Sequence, residues 1–242
     1  MKYILKSLKE IFITYIINFL IIIISGLIYN LLGYNNLEYF INSILPIILI
    51  IFYILTIIYL YKRNYIKEKS LSKKEYFPLS ILGISIATIL NMIIFRLFPP
   101  TSTTSLPIII SIISTGIIGP IYEEILFRYI LYNRLKKKYS IKKSCFLTTS
   151  IFALIHLSPI KIIYAFLLGL TMNILYERHR SILAHILIHV CANTIVILLY
   201  EYNTYILLLS IICLMLSIKL NKPKVNKTMS IVWENVLKKF KH

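Results

Sequence analysis

Near-continuous apolar runs determine what this chain of 242 residues can fold into. The chain is 58% hydrophobic with a mean hydropathy of +0.80, which is more apolar surface than a soluble domain of this length can bury. The runs cover residues 11–32, 41–61, 78–98, 108–132, 144–158, 160–177, 181–200 and 203–220. Most of them approach the ~20 residues that a helix needs to cross a bilayer. We therefore predict an all-α fold, a polytopic membrane bundle of about eight transmembrane helices.

Positive charge alternates along the chain in step with these runs. Lys and Arg are concentrated in residues 2–9, 62–76, 134–143, 178–180 and 219–241, whereas residues 33–40, 99–107 and 201–203 contain none. Eight spans place 24 of the 27 Lys and Arg residues on one side, which the positive-inside rule assigns to the cytoplasm together with both termini. The net charge of +18 accordingly indicates a basic face next to membrane lipids rather than a nucleic-acid partner.

The fifth run, residues 144–158, is short for a span, and only Pro159 and Lys161 divide it from the sixth. If the two formed one broken helix, the later topology would invert. Merging them would put the later basic segments on inconsistent sides, so the charge pattern predicts two separate helices.

The two ends of the chain carry further expectations. The first apolar run is too long for the core of a signal peptide and no small-residue cleavage site follows it, so we expect this helix to remain. Residues 229–240 space Met229, Val232, Trp233, Val236 and Phe240 as on one helix face beside lysines. This pattern suits an amphipathic segment on the cytoplasmic leaflet, with a disordered tail as the alternative. The Ile-, Lys- and Asn-rich, Ala-poor composition indicates an AT-rich genome, and we expect the plasma membrane of a bacterium or archaeon.

Two adjacent glutamates interrupt the fourth run. The chain has nine acidic residues and no Asp, yet Glu123 and Glu124 both lie inside residues 108–132. A carboxylate near the bilayer centre costs at least ~2.5 kcal/mol on insertion scales, and a neighbouring carboxylate adds repulsion. An intramembrane glutamate pair therefore predicts a functional site.

Other polar residues fall at the same depth. Glu123 and Glu124 lie about 15–17 Å from the cytoplasmic end of the fourth run at helical rise. His156 in the fifth run lies about 18 Å from that side, and His189 and Asn193 in the seventh lie about 12–18 Å from it. A single histidine in a helix is more often a packing residue. Five such residues at one depth instead predict a shared site.

Spacing within the helices assigns partners to these residues. Arg128 follows Glu124 by four positions and shares its helix face, which predicts an intramembrane ion pair. Glu123 points about 100° away and is left to titrate or to hold a water. The seventh run has polar residues at every fourth position, His185, His189 and Asn193, which form a stripe that can face the carboxylates. Of these, we expect His185, nearest the cytoplasmic end, to be a supporting residue.

These residue types fit peptide-bond hydrolysis. A carboxylate can take a proton from water, a histidine can position that water, and Asn with His can donate hydrogen bonds to a tetrahedral oxyanion. The carboxylate and two imidazoles of Glu123, His156 and His189 could equally hold Zn²⁺ with water in the open position. The chain has no Asp for an aspartyl dyad and no HExxH zinc motif. The residues leave a zinc mechanism and a metal-free mechanism both open.

Three motifs in order resemble the CPBP intramembrane proteases, the family that includes the CAAX prenyl endopeptidases and the bacterial Abi-type proteins linked to bacteriocin self-immunity. The EExxxR motif corresponds to residues 123–128, FxxxH to residues 152–156 and HxxxN to residues 189–193. The resemblance covers roughly residues 78–200, which would form the catalytic core. Residues 1–77 would then be an N-terminal transmembrane hairpin with a basic cytoplasmic loop, and residues 201–242 the last transmembrane helix and a basic tail.

The resemblance implies a cytosol-facing membrane endopeptidase. In it, Glu123 activates water, His156 positions the water, His189 and Asn193 stabilise the oxyanion, and Glu124 and Arg128 support them. The family is commonly labelled as metalloproteases, although its residues also allow a metal-free mechanism driven by glutamate. The expected partners are membrane lipids and a CAAX-like or short membrane-associated peptide, lipidated or not, in peptide processing or bacteriocin immunity.

Two other functions use similar residues. A proton- or ion-coupled transporter also carries intramembrane Glu, His and Arg, although residues 1–120 and 121–242 lack the internal repeat typical of transporters. The other is a non-catalytic immunity protein that binds a toxin, although a scaffold has no need of unpaired polar groups at membrane depth.

Overall fold

The computed structural model describes residues 2–63, 71–97, 106–198 and 204–220. Within these ranges the chain forms eight helices and no strand: α1 (Lys2–Leu31), α2 (Leu37–Arg63), α3 (Lys73–Leu97), α4 (Ile108–Lys136), α5 (Ile141–Leu154), α6 (Pro159–His179), α7 (Ile182–Leu198) and α8 (Thr204–Leu220). The predicted all-α bundle is therefore confirmed. The predicted amphipathic segment at residues 229–240 lies outside the described residues.

The helices differ in how far they can reach across a bilayer. Five of those described, α1, α2, α3, α4 and α6, are long and apolar enough to cross a membrane, judged by length and composition. Helices α7 and α8 are apolar but shorter, with 17 residues each. Helix α5 has 14 residues, or about 21 Å at helical rise, which is less than the ~30 Å hydrocarbon core. The chain is thus a multi-pass integral membrane protein in which α5 is the shortest of the described helices.

Helices α5 and α6 are separate, as the charge pattern predicts. Helix α5 ends at Leu154, four residues before the predicted boundary. Leu157 then adopts a left-handed backbone with φ of 56°. Pro159 has no N–H to continue a helix and disfavours helical backbone at Ser158, so it opens α6 instead. As a result, His156 lies in the turn just after α5.

Ion pairs hold three basic segments together at one end of the bundle. Glu10 of α1 lies 2.8 Å from Arg134 near the end of α4. Glu177 near the end of α6 lies 2.5 Å from both Lys136 of α4 and Arg180. The start of α1 and the ends of α4 and α6 therefore share one end of the bundle, as the alternation of charge requires.

Helix α7 is the central packing partner around the glutamates. It packs against α3 and α4, and α8 packs against α3. The crossing of α3 and α7 depends on Gly83, because a Cβ atom there would lie 2.4 Å from the carbonyl oxygen of Ile188. Buried Leu82, Leu168 and Met172 belong to the apolar cluster where α3 and α6 meet α7. This packing brings the seventh helix against the polar segment of α4.

Helix α4 has irregular winding around the glutamate pair. Residues Ile112–Ile118 and Ile125–Tyr132 are wound as π-helix, with α-helical Gly119–Glu124 between them. Such wide turns inside α-helices occur frequently at functional sites. Every residue of Ile125–Tyr132 is buried. The glutamates thus lie at the junction between a fully packed half of α4 and a half that borders a cavity.

Candidate active site

The Glu124 carboxylate and the Arg128 guanidinium form the buried base of the site. Arg128 Nη1 donates to Glu124 Oε1 at 3.0 Å, and both side chains are fully buried. The guanidinium also lies 4.5 Å from the centre of the Phe152 ring, a cation–π contact. Gly169 of α6 leaves room for this arrangement, since a Cβ atom there would lie 3.0 Å from Phe152. The predicted ion pair between Glu124 and Arg128 is confirmed.

His189 links the two glutamates. Its Nδ1 atom lies 2.8 Å from Glu124 Oε1, and its Nε2 atom lies 3.7 Å from Glu123 Oε2. An ionised carboxylate only accepts hydrogen bonds, so this contact assigns a hydrogen to Nδ1. The Nε2 atom is then the ring atom that faces Glu123. The hydrogen bond with Glu124 therefore fixes the orientation of the His189 ring, whereas the 3.7 Å contact with Glu123 is too long to do so.

The early end of α5 determines how His156 is oriented. The backbone N–H of His156 bonds to Ala153, so the Phe152 carbonyl is left without its usual helical donor. The Nδ1 atom of His156 lies 2.9 Å from that carbonyl oxygen. Because a carbonyl only accepts, Nδ1 carries the hydrogen and Nε2 keeps a lone pair. His156 can therefore accept a hydrogen bond from a water through Nε2.

A proline in α4 explains how α7 is docked beside the glutamates. Pro120 has no N–H and its ring crowds the carbonyl four residues before it, so the helical hydrogen bonds are interrupted at the carbonyl groups four and five residues before it. Asn193 Nδ2 donates to one of them, Thr115, at 3.0 Å, and Thr194 Oγ1 donates to the other, Gly116, at 3.4 Å. Asn193 has a second N–H left for other partners.

Four of the predicted residues line one cavity of about 340 Å³: Glu123, His156, His189 and Asn193. The remaining wall is mostly apolar and comes from α3 to α7: Asn91, Ile94, Thr115, Phe152, Ile160, Lys161, Tyr164, Ala165, Leu168, Val196 and Ile197. Glu124 and Arg128 are buried behind this wall. The Glu123 side chain is 24% exposed whereas Glu124 is 0% exposed, so the tandem glutamates have different surroundings.

Comparison with known proteins finds matches to the segment that contains these cavity residues. Residues 104–195 match the family described as "Rce1-like: Type II CAAX prenyl endopeptidase Rce1-like". The "Putative membrane peptidase YdiL" of Bacillus subtilis is 32% identical over 88 residues. The resemblance to CPBP proteases is confirmed.

The matches are limited in extent. The aligned segment is 36% of this chain and 36% of the Bacillus relative, so the match spans about a third of that relative's length. No solved structure gives a significant match. Residues 104–195, the CPBP-like segment, include all six predicted site residues, whereas α1, α2, α3 and α8 lie outside it.

Two features of the CPBP-like segment were not predicted. The Phe152 ring contacts both histidines edge-on, with centroid distances of 5.1 Å to His156 and 6.2 Å to His189. Phe152 was visible only as the first letter of a motif, and nothing in the sequence indicated that it also packs on Arg128. The second feature is the docking of α7 on the carbonyl groups before Pro120. Pro120 was the visible signal for it, because a proline inside a helix interrupts the backbone hydrogen bonds.

His185, which we expected to be a supporting residue, is packed in the core. It is fully buried, its Nδ1 atom lies 2.7 Å from the Ser181 carbonyl oxygen, and its ring meets Tyr176 edge-on at 5.1 Å. It is not among the residues that line the 340 Å³ cavity.

The predicted zinc ligands do not form a metal site in this arrangement. Among the described residues, no three His, Cys, Asp or Glu side chains are placed to hold one ion together. The Nδ1 atoms of His156 and His189 bond to a carbonyl and a carboxylate, so only their Nε2 atoms are left to bind an ion. Glu123, His156 and His189 therefore do not converge on one ion in this arrangement, and we derive no step through a metal.

Proposed function

We propose that this chain is an intramembrane endopeptidase in which Glu123 activates water for attack on a peptide bond. The observation that carries the proposal is the convergence of Glu123, His156, His189 and Asn193 on one cavity. These four residues come from three motifs, and the helix packing brings them to one volume.

In the proposed reaction, water sits between Glu123 and His156 Nε2. Glu123 takes a proton as the water oxygen bonds to the scissile carbonyl carbon, which turns the carbonyl oxygen into an oxyanion. The free N–H of Asn193 and the ring of His189 stabilise that oxyanion. The C–N bond then breaks, and the proton on Glu123 passes to the leaving amine. The products are an amine and a carboxylic acid, which releases its remaining proton to solvent and becomes a carboxylate.

Glu124 and Arg128 act on this reaction through His189. The Glu124 carboxylate holds Nδ1 of His189, and Arg128 balances the negative charge of Glu124 in a buried site. A histidine held in this way keeps Nε2 directed at the cavity. Pre-orienting a donor before the reaction is the main source of electrostatic catalysis.

The cavity suits a short apolar peptide. Its wall is mostly apolar, with a few polar groups at one site, which is typical of pockets that bind a ligand and orient it. We propose CAAX-like or short membrane-associated peptides as substrates, cleaved near the cytosolic face of the plasma membrane with both chain termini in the cytoplasm. Peptide processing or bacteriocin immunity would be the biological use.

The test is proteolysis of a peptide library, farnesylated and not, by the full-length protein in liposomes. Glu123→Gln removes the base and keeps the shape of the side chain, and Glu38→Gln at the exposed start of α2 is the matched control. We expect cleavage by the wild type and Glu38→Gln and none by Glu123→Gln. A chelator, with zinc added back afterwards, decides whether a metal takes part, and we expect cleavage to survive it.

The two alternatives give other results. A toxin-binding protein would show no cleavage by the wild type and would bind the toxin equally well after Glu123→Gln. A proton-coupled transporter would show proton movement in liposomes that Glu123→Gln abolishes, without any peptide product.

A further inference from the structure

A second, smaller cavity borders the candidate base. Its volume is about 170 Å³, and we call it the tyrosine cavity. Glu123 and His156 line both this cavity and the larger one of 340 Å³. The rest of its wall comes from α1, α2, α4 and the turn after α5: Tyr15, Tyr53, Gly119, Tyr122 and Ile155. The two side chains proposed to hold the reacting water therefore border two spaces.

Ring contacts among three helices form the wall of the tyrosine cavity. Tyr53 of α2 stacks on Tyr122 of α4 with ring centroids 4.4 Å apart, and Tyr15 of α1 meets Tyr122 edge-on at 6.4 Å. Asn18 of α1 donates to the Tyr53 hydroxyl at 3.3 Å. These contacts hold the rings in place before any ligand binds. A wall that is already ordered lowers the entropy cost of binding.

The tyrosine cavity has the size and the surface to hold one apolar side chain. An apolar cavity of about 150 Å³ in a protein core binds benzene, so a volume of 170 Å³ admits a side chain up to the size of phenylalanine. Three aromatic rings and the side chain of Ile155 form most of the wall, and Gly119 adds no side chain that would narrow it. Pockets with mostly apolar walls and a few polar groups at one edge bind a ligand and orient it. Here the polar edge is formed by Glu123 and His156.

The two cavities differ in the groups that they offer to the two halves of a scissile peptide bond. His189 and Asn193, proposed to stabilise the oxyanion, line the larger cavity, whereas neither of them lines the tyrosine cavity. The carbonyl oxygen belongs to the acyl half of the bond, so this half lies in the larger cavity. The amine half receives its proton from Glu123, which also borders the tyrosine cavity. The amine half is therefore the one that reaches the tyrosine cavity.

We propose that the tyrosine cavity is the subsite for the residue directly after the scissile bond, and that it selects one apolar side chain no larger than phenylalanine. This inference rests on the proposed function and adds a selectivity to it. Tyr15 and Tyr53 belong to α1 and α2, which lie outside the CPBP-like segment. The catalytic residues thus come from the segment that matches the family, whereas the choice of peptide depends on helices outside it.

The test compares peptides that differ only in the residue after the scissile bond. The full-length protein in liposomes cleaves each peptide, mass spectrometry identifies the bond that is cut, and kcat/KM is measured. Ile155→Ala enlarges the tyrosine cavity, and Ile160→Ala is the matched control because Ile160 lines only the larger cavity. We expect Ile155→Ala to raise the ratio of kcat/KM for tryptophan over leucine at this position about tenfold, since the removed atoms excluded the larger side chain. Ile160→Ala should leave this ratio at the wild-type value.

A second variant enlarges the same cavity from another helix. Tyr15→Leu removes a ring of α1 and leaves the turn that carries His156 unchanged, so it keeps the test decisive if Ile155→Ala fails to fold. It should shift the tryptophan-to-leucine ratio in the same direction. A ratio that stays at the wild-type value in both variants, or that Ile160→Ala changes equally, would overturn the proposal. A shift in preference for the residue before the scissile bond instead would also overturn it.

The same measurements separate failure of this inference from failure of the proposed function. If the wild type cleaves no peptide, the proposed function fails and the subsite fails with it. If the wild type cleaves, and Ile155→Ala and Tyr15→Leu cleave with its selectivity, the peptidase stands and only the subsite is wrong.

Discussion

The Nδ1 atom of His189 lies 2.8 Å from Oε1 of Glu124, although the two residues are 65 positions apart in the sequence. The same oxygen accepts a hydrogen bond from Arg128 at 3.0 Å. One buried carboxylate therefore balances a charge within α4 and orients a ring on α7. This explains why the two adjacent glutamates are not equivalent, since Glu123 faces the cavity and Glu124 does not.

Loss of the Glu124 charge should destabilise the protein. Glu124→Gln leaves the fully buried Arg128 without a counter-ion, and breaking a buried pair in this way costs about 3–5 kcal/mol. We expect a clear drop in the thermal unfolding temperature in detergent. Adding Arg128→Met removes the uncompensated charge, so the double variant should recover part of the stability. A double variant that loses the sum of both single effects would contradict this interpretation.

The crossing of α3 and α7 should be sensitive to a single methyl group. Gly83→Ala would place a Cβ atom 2.4 Å from the Ile188 carbonyl, so the helices must move apart, at about 1–3 kcal/mol for overpacking. Gly26→Ala in α1 is the control, because its Cβ would meet only Phe40 at 3.7 Å and alanine favours a helix. Thermal unfolding of both variants checks the prediction, and equal stability of the two would refute the close crossing.

Variants of Asn193 and its neighbour Thr194 should distinguish a role in helix docking from a role in catalysis. Both donate to carbonyl groups of α4, but only Asn193 lines the 340 Å³ cavity. Asn193→Leu should lower kcat about 10²–10³-fold by removing an oxyanion donor. Thr194→Val should lower stability slightly and leave kcat close to the wild type. Similar kcat losses in both variants would mean that Asn193 acts only through helix docking.

His156 should matter for rate more than for stability. Its side chain is half-buried in a turn, and its ring is anchored by the Phe152 carbonyl rather than by the core. His156→Asn should lower kcat about 10²-fold by losing the acceptor that positions water, with an unfolding temperature near that of the wild type. Steady-state kinetics and thermal unfolding together test this. A large loss of stability with intact kcat would reverse the assignment.

Helix positions could be predicted because apolar length and charge alternation are local signals. The eight predicted runs agree with α1 to α8, and the ion pair of Glu124 and Arg128 followed from helical spacing alone. The convergence of Glu123, His156 and His189 on one site could also be predicted, since helical rise converts sequence position into distance along each helix.

Contacts between distant helices could not be predicted from one sequence. The bond between His189 and Glu124 and the stacking of Tyr53 on Tyr122 depend on the rotation of each helix about its axis, which packing determines. The boundary of α5 was wrong by four residues because Pro159 acts on the residues before it as well as on its own position. The π-helical turns of α4 shift the faces of that helix in a way that a regular period of 3.6 residues does not describe.

The most direct measurement is the rate of peptide cleavage by purified Glu123→Gln in liposomes, beside the wild type and Glu38→Gln. The account predicts that Glu123→Gln keeps the wild-type unfolding temperature and loses cleavage by at least about 10²-fold, because the general base is gone. Glu38→Gln should cleave at the wild-type rate. Cleavage by Glu123→Gln at the wild-type rate would contradict the central claim that this carboxylate activates the water.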